Sequence, residues 1–303
     1  MSIILNINTK FRNNYNNTNS TDFIYNLPYL IKNVKSMEYL TSEFSNVPYL
    51  INCKMGSNNF KITDKATSTT HNVIIQEGNY SGIELAAEIK TKIADLNLTN
   101  HDANNYINVS FNNQKKKFIF TIVVAGHAVN DLAFDLDFTY NVLNSNDCKY
   151  CSNHKTIDEQ HLTFGWLIGF RKKKYLFADD YKTTADTQYG KYLKGLSSEG
   201  VYDRNGSRYY LLVVNDYNNN HRTHVISSYQ KDTLTENNIL SKFKYVVDPD
   251  YHSIDTDTTA EIIREYNGKV DINRLHIKLL DEYGRIVDLD SMDYSITLKL
   301  ETE

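Results

Sequence analysis

Arg274-Leu275-His276-Ile277-Lys278-Leu279 alternates polar and apolar side chains. A strand turns successive side chains to opposite faces, so Leu275, Ile277 and Leu279 fall on one face and a half-buried strand is predicted. Asp281-Glu282-Tyr283-Gly284 then supplies a polar turn, and Tyr294, Ile296, Leu298 and Leu300 repeat the alternation. Upstream, Tyr209-Tyr210-Leu211-Leu212-Val213-Val214 is apolar throughout, the pattern of a strand covered on both faces. Asn205-Gly206 stands just before it, and Asn267-Gly268 lies between Glu261–Tyr266 and Val270-Asp271-Ile272. Both dipeptides are type I′ hairpin signatures and predict hairpins.

Working outward, Ile3 to Asn8, Asp22 to Leu27 and Asn33 to Phe44 are strand candidates, the first two separated by the Asn-rich loop Asn13 to Ser20. The middle of the chain reads differently. Phe60 to Thr63 and His71 to Gln76 fit a hairpin. Ser81-Gly82-Ile83-Glu84 is a capping box opening a helix to about Leu96, with Leu85, Ile89, Ile93 and Leu96 along one side. Tyr106 to Phe111 and Lys117 to Val123 follow, joined by a polar turn at Asn112-Asn113-Gln114. The fold class expected is therefore all-β with an α+β insertion. Residues 1–50 and 170–303 form one β-sandwich of about eight strands in two sheets, with Greek-key or jelly-roll connectivity. An inserted β-β-α-β-β module over residues 51–169 interrupts it.

Composition bounds the function. With 41% hydrophobic and 23% charged residues, neither disorder nor a membrane class is favoured, and no apolar run approaches the length of a membrane span. The 23 Tyr and 13 Phe suit strands better than helices. A net charge of −4 offers no long-range attraction to nucleic acid, which excludes it as an expected partner. Cys53, Cys148 and Cys151 make no disulfide framework, and the N-terminus lacks a signal peptide, so a cytosol-like compartment is expected.

Phe11-Arg12-Asn13-Asn14-Tyr15 with Ser20-Thr21-Asp22-Phe23, then Leu27-Pro28 and Ile31-Lys32-Asn33-Val34, resembles the start of the penton and minor capsid proteins of large DNA viruses and their virophages. Arg274 to Leu289 with Met292-Asp293-Tyr294-Ser295 is similar to that family's end. Between them, Glu77-Gly78-Asn79-Tyr80-Ser81, Gly165-Trp166-Leu167-Ile168-Gly169-Phe170-Arg171 and Val214-Asn215-Asp216-Tyr217 look like the family too. The order of these short pieces is the specific part. The resemblance implies a structural virion protein and not an enzyme: a single jelly roll carrying an insertion, assembled in the host cytoplasm as a homo-pentamer. It would sit at the five-fold vertices of an icosahedral capsid beside the double-jelly-roll major capsid protein. A carbohydrate- or receptor-binding module of a virion is the alternative, since sandwiches with Tyr-rich loops also serve as lectins.

No residue is assigned a catalytic, cofactor-binding or metal-binding role. Cys148-Lys149-Tyr150-Cys151-Ser152-Asn153-His154 contains one Cys-x-x-Cys pair, with His161 or Cys53 as further ligands to weigh, but a zinc site shows two ligand pairs at familiar spacing. Solvated thiols are the expectation. Asp131, Asp135 and Asp137, and Asp255 with Asp257, lack the Gly and Glu positions of a calcium loop and are expected to be solvated. Arg171-Lys172-Lys173-Lys174 and Lys115-Lys116-Lys117 read as a solvated face or a subunit contact. Gly165 to Arg171, too short to span a membrane, reads as a buried turn packing Trp166 and Phe170.

Overall fold

A computed structural model of the chain describes residues 1–44, 48–65, 67–96, 107–124, 133–139, 159–186, 191–204, 206–218, 220–221, 228–230, 233–234, 238–244 and 263–303. In chain order its strands are β1 (Ser2–Asn8), β2 (Asp22–Phe44), β3 (Asn59–Asp64), β4 (Thr70–Ile74), β5 (Ile107–Asn112), β6 (Lys117–Val124), β7 (Phe134–Asp137), β8 (Lys174–Tyr175), β9 (Lys182–Asp186), β10 (Lys191–Ser197), β11 (Tyr209–Asn215), β12 (Ser228–Gln230), β13 (Thr233–Leu234), β14 (Ile239–Lys244), β15 (Ile263–Leu280) and β16 (Tyr294–Thr302). Helix α1 spans Gly82–Ala94. Two compact units result, one containing Met1–Pro48 with Ser207–Glu303, the other the described residues from Tyr49 to Gly206.

The first unit is a jelly roll. Its sheet runs β1-β16-β2-β15-β11-β14, every neighbour antiparallel. The two long strands each serve twice. The start of β2, Asp22 to Ile31, pairs with the end of β15, Ile272 to Lys278, while Val34 to Phe44 lies against β16 and, over Val34 to Glu38, against the start of β15. Eight strand segments therefore form two four-stranded halves, one containing β1 and β16, the other β11 and β14. First pairs with last and each inner segment with its counterpart, which is the nested connectivity of a hairpin rolled up on itself.

The passage from one half to the other falls where register slips between Glu265 and Val270, Val270 and Ile272, and Ile272 and Arg274. Asn33 of β2, at φ 58, and Gly268 of β15, at φ 100, take left-handed backbone there. Strands that cross between sheets bend at such irregularities. This corrects one expectation: Asn267-Gly268 is not a hairpin but lies within β15. A glycine at positive φ serves a bulge as readily as a tight turn, and β2 is long enough to pair on both sides of it. Asn205 lies outside the described residues; the strands flanking Asn205-Gly206, β10 and β11, belong to separate sheets and do not form a hairpin.

Alternation decides burial as predicted. Leu275, Ile277 and Leu279 join Tyr294, Ile296, Leu298 and Leu300 in one core. β11 is covered on both faces, with Tyr210, Leu212 and Val214 in that core and Leu211 and Val213 in a smaller cluster with Ile239 and Leu280.

The second unit contains the expected β-β-α-β-β order as β3, β4, α1, β5 and β6, and adds β7 to β10. Its two hairpins enter separate four-stranded sheets, β4-β3-β7-β8 and β5-β6-β10-β9. Because β10 pairs with β6 over Ser197↔Ile119 to Tyr192↔Val124, the inserted segment runs past the expected boundary at 169 to about Gly206. The capping box is present: Ser81 Oγ accepts from Glu84 N at 3.2 Å and Glu84 accepts from Ser81 N at 2.8 Å. Leu85, Ile89 and Ile93 of α1 enter the core. Rings fill the rest: Phe60 stacks on Phe164 with centroids 5.3 Å apart and meets Phe120 edge-on at 6.4 Å, and Phe138 stacks on Phe170 at 5.1 Å.

Candidate functional site

The segments at the two ends of the chain that carry the family resemblance meet at one place on the jelly roll. After β1 the chain makes a short 3-10 turn, Thr9–Phe11, capped by Asn8. That turn brings Arg12 inward, where it is buried. Its guanidinium donates to Asp293 Oδ1 at 2.6 Å, to the Thr9 carbonyl at 2.9 Å, and to Thr18 Oγ1 and the Tyr15 and Thr18 carbonyls. It also lies over the Tyr15 ring, 3.9 Å from the centroid. Asp293 accepts further from Thr9 Oγ1 and from the Tyr15 hydroxyl, each at 2.9 Å. Ser20 Oγ donates to the Met292 carbonyl at 2.6 Å. The arrangement is a clasp between the loops before β2 and β16. A charge pair hydrogen-bonded on both partners in this way holds geometry.

Beside the clasp lies an open depression lined by Lys10, Glu43, Phe44, Met292 and Tyr294 among others. Tyr294 stacks on Phe44 at 4.9 Å, and burial pushes its phenol well above the ordinary range. Phe11 is 76% exposed, so the turn that buries Arg12 presents an aromatic ring outward.

A second polar cluster is fully enclosed. Arg264 of β15 donates to the Val214 carbonyl at 2.7 Å, the Asn238 carbonyl at 2.9 Å and Asp216 Oδ2 at 3.2 Å. Tyr266 donates to the same Asp216 oxygen, and His221 Nε2 lies 3.3 Å from Asn238 Oδ1. Burial first, and then the Asp216 carboxylate, push the Tyr266 phenol far up, so it stays a neutral donor. The cluster ties the end of β11 and the residue before β14 to β15 inside the first unit.

In the second unit, Gly165 to Arg171 forms a one-turn helix, Phe164–Leu167, and the following turn. A Cβ on Gly165 would come within 2.3 Å of Phe138, and Gly169, at φ 97, passes so near the Gly200 carbonyl that a Cβ would meet it at 2.4 Å. Arg171 lies over Trp166, 4.1 Å from the ring centroid, and His161 meets the same ring edge-on. Tyr175 donates to Glu199; burial, helped by that carboxylate, raises its phenol far above the ordinary range.

The residues weighed from sequence fall as follows. Cys148, Cys151, His154, Asp131, Asp255 and Asp257 lie outside the described residues. Among the described residues no three His, Cys, Asp or Glu side chains gather as metal ligands. Asp135 pairs with Lys65 at 3.1 Å and Asp137 with Lys174 at 3.0 Å, so neither is merely solvated. Desolvation pushes Asp137 up, but hydrogen bonds from Thr139 and Lys174 outweigh it and leave the carboxyl below its ordinary value. The basic runs are tied within their own unit, Lys172 to Asp180 at 2.7 Å and Lys117 to the Glu199 carbonyl at 3.0 Å. Among the described residues no helix is long and apolar enough to cross a membrane. Arg264, Asn238 and Tyr266 were not singled out by sequence, and only an arginine beside an otherwise strand-like run hinted at them.

No protein-family model matches the chain, and no curated protein matches it. Among solved structures, the chain is similar to the mavirus penton protein with a TM-score of 0.45 at 12% identity, over 100% of both chains. It is likewise similar to a chain in a structure of the Sputnik virophage, with a TM-score of 0.44 at 13% identity, over 99% of this chain and 98% of that one.

Proposed function

We propose that the chain is a structural subunit of a virus capsid, a penton protein that closes the five-fold vertices of an icosahedral virion as a ring of five. The observation that carries the reading is the place of the resembling segments in the fold. Phe11 to Phe23 and Met292 to Ser295 build the clasp of a jelly roll, Asp216 anchors its buried cluster, and Arg274 to Leu280 of β15 supplies core side chains while pairing with β2 on one side and β11 on the other. These positions fix a rigid block, which is what a packing subunit requires. Rigid sides allow a head-to-tail contact between copies, and such a contact closes into a ring when the rotation between copies is a simple fraction of a turn. Surface buried between neighbours then supplies the affinity, with Tyr and Arg as anchors. The neighbour around the ring is the double-jelly-roll major capsid protein, and the assembly site is the host cytoplasm.

The test is co-expression with the major capsid protein from the same source, followed by electron microscopy of the particles and mass spectrometry of copy number. Five copies per vertex are expected. A stable two-fold dimer located away from the vertices would refute the proposal.

A further inference from the structure

The two outer strands of the jelly-roll sheet are built differently. β14, at one edge, has the sequence Ile-Leu-Ser-Lys-Phe-Lys, and Lys242 is exposed with its ammonium 3.9 Å from the Tyr209 centroid. A lysine on an edge strand opposes pairing with another chain, because the approaching strand must desolvate the charge. β1, at the other edge, reads Ser-Ile-Ile-Leu-Asn-Ile-Asn, with no charged residue and no proline. It pairs with β16 alone among the described strands, through Ser2↔Glu301 to Asn8↔Ser295. Among the described residues its other side is therefore a row of backbone donors and acceptors with neither a lysine nor a proline to guard it.

The side chains add a second observation. Ile3 and Leu5 point to the core but stay only partly buried against it, whereas Ile7 on the same face is fully buried. On the outer face Ile4 is 58% exposed between Ser2 and Asn6. A further strand beside β1 would complete the ladder, and its inward side chains would cover Ile3 and Leu5. We propose that β1 is a β-augmentation site that accepts an extended, uncharged polypeptide segment from a partner chain, with apolar side chains at alternate positions. The alternation follows from the pleat, since only every second residue of the added strand faces the half-covered core. The absence of charge follows from β1, which offers no ion to pair with. The site stands apart from the vertex reading and holds whatever assembly the chain joins.

The test uses the full chain and a fluorescein-labelled peptide of alternating Val and Thr ending in two lysines for solubility. A control peptide carries proline at the Thr positions, which removes backbone donors. Saturable binding to the wild-type chain is expected, with slower hydrogen exchange of the Ser2–Asn8 amides. The Ile4→Lys and Asn6→Lys variants, whose side chains point away from the core, should each bind at least about tenfold more weakly while keeping wild-type circular dichroism. No binding to the wild type, equal binding of the proline peptide, or undiminished binding to both folded variants would overturn the proposal. So would sedimentation showing the edge already taken by β1 of a second copy, in a dimer that Ile4→Lys dissolves.

Discussion

The jelly roll and the inserted unit solve the same problem, closing a β core, with different materials. In the jelly roll the core is largely aliphatic, and two arginines hold its joints: Arg12 on Asp293 and Arg264 on Asp216. In the inserted unit the centre is a set of rings, Phe60, Phe120, Phe138, Phe164 and Phe170, packed edge-on and stacked between two sheets. The difference follows from topology. A roll whose strands pair with partners far along the chain must fix loops as well as strands, and directional charge-assisted bonds fix loops. Two sheets meeting face to face need volume between them, and rings supply it.

The comparison breaks most sharply at Arg264. Replacing it with Ala leaves the enclosed Asp216 carboxylate with the Tyr266 hydroxyl and the Asn218 amide as donors but no countercharge, and stranding a buried charge costs about 3 to 5 kcal/mol. Urea denaturation should show that loss in the jelly roll. If the two units unfold separately, as the division of the chain into two compact units leads us to propose, the transition of the inserted unit should stay in place. A loss below about 1 kcal/mol would mean that the cluster relaxes without its arginine, and the contrast between joints and rings would fall.

Phe60→Ala is the matching change in the inserted unit. It removes the ring stacked on Phe164 and should cost about 3 to 5 kcal/mol, now in the other transition. Leu298→Ala, in the aliphatic core, should cost about 2 to 5 kcal/mol in the jelly roll. Thr297→Ala, one residue away on the opposite face, should change stability by less than about 0.5 kcal/mol. Calorimetry of the three variants reads all of this together. Equal losses for Leu298→Ala and Thr297→Ala would contradict the burial seen along β16.

How much of this was legible depends on the distance over which each feature acts. The alternation in β16 and β15 is local, and it alone placed Leu298, Leu300 and Ile277 in the core. The capping box at Ser81 and Glu84 is equally local. Gly268 misled because one backbone conformation serves two structures, and the choice between them was made by β2, more than 200 residues upstream in the chain. The inserted unit was cut short at 169 because β9 and β10 carry weak patterns, Lys-Thr-Thr-Ala-Asp and Lys-Tyr-Leu-Lys-Gly-Leu-Ser, and β10 is recruited by β6 from far earlier. Both arginine pairs escaped spacing arguments: Arg12 and Asp293 are 281 residues apart, and Arg264 and Asp216 are 48 apart. Arg12 and Asp293 entered only as members of resembling segments, without any sign that they touch.

A smaller effect than those of the core substitutions tests whether α1 belongs to the aromatic unit by packing or by its own cap. Ser81→Ala removes the acceptor for the Glu84 amide, and losing such a cap costs about 1 kcal/mol. Glu84 gives the pH dependence. Its hydrogen bonds, chiefly from the Ser81 backbone N–H and then from the Ser81 hydroxyl, hold its carboxyl below the ordinary 4.5. A carboxyl depressed in the folded state stabilises that state above its unfolded value, and the contribution disappears as pH falls through the folded value. The wild type should therefore lose a few tenths of a kcal/mol more than Ser81→Ala on acidification below about pH 4.5, the carboxylate being exposed and screened. Denaturation of both proteins at pH 7 and at pH 3, followed through the transition that Phe60→Ala lowers, measures the difference. Identical pH slopes would show that the Ser81 hydroxyl adds nothing to the hold on Glu84, which the Ser81 backbone N–H keeps in both proteins.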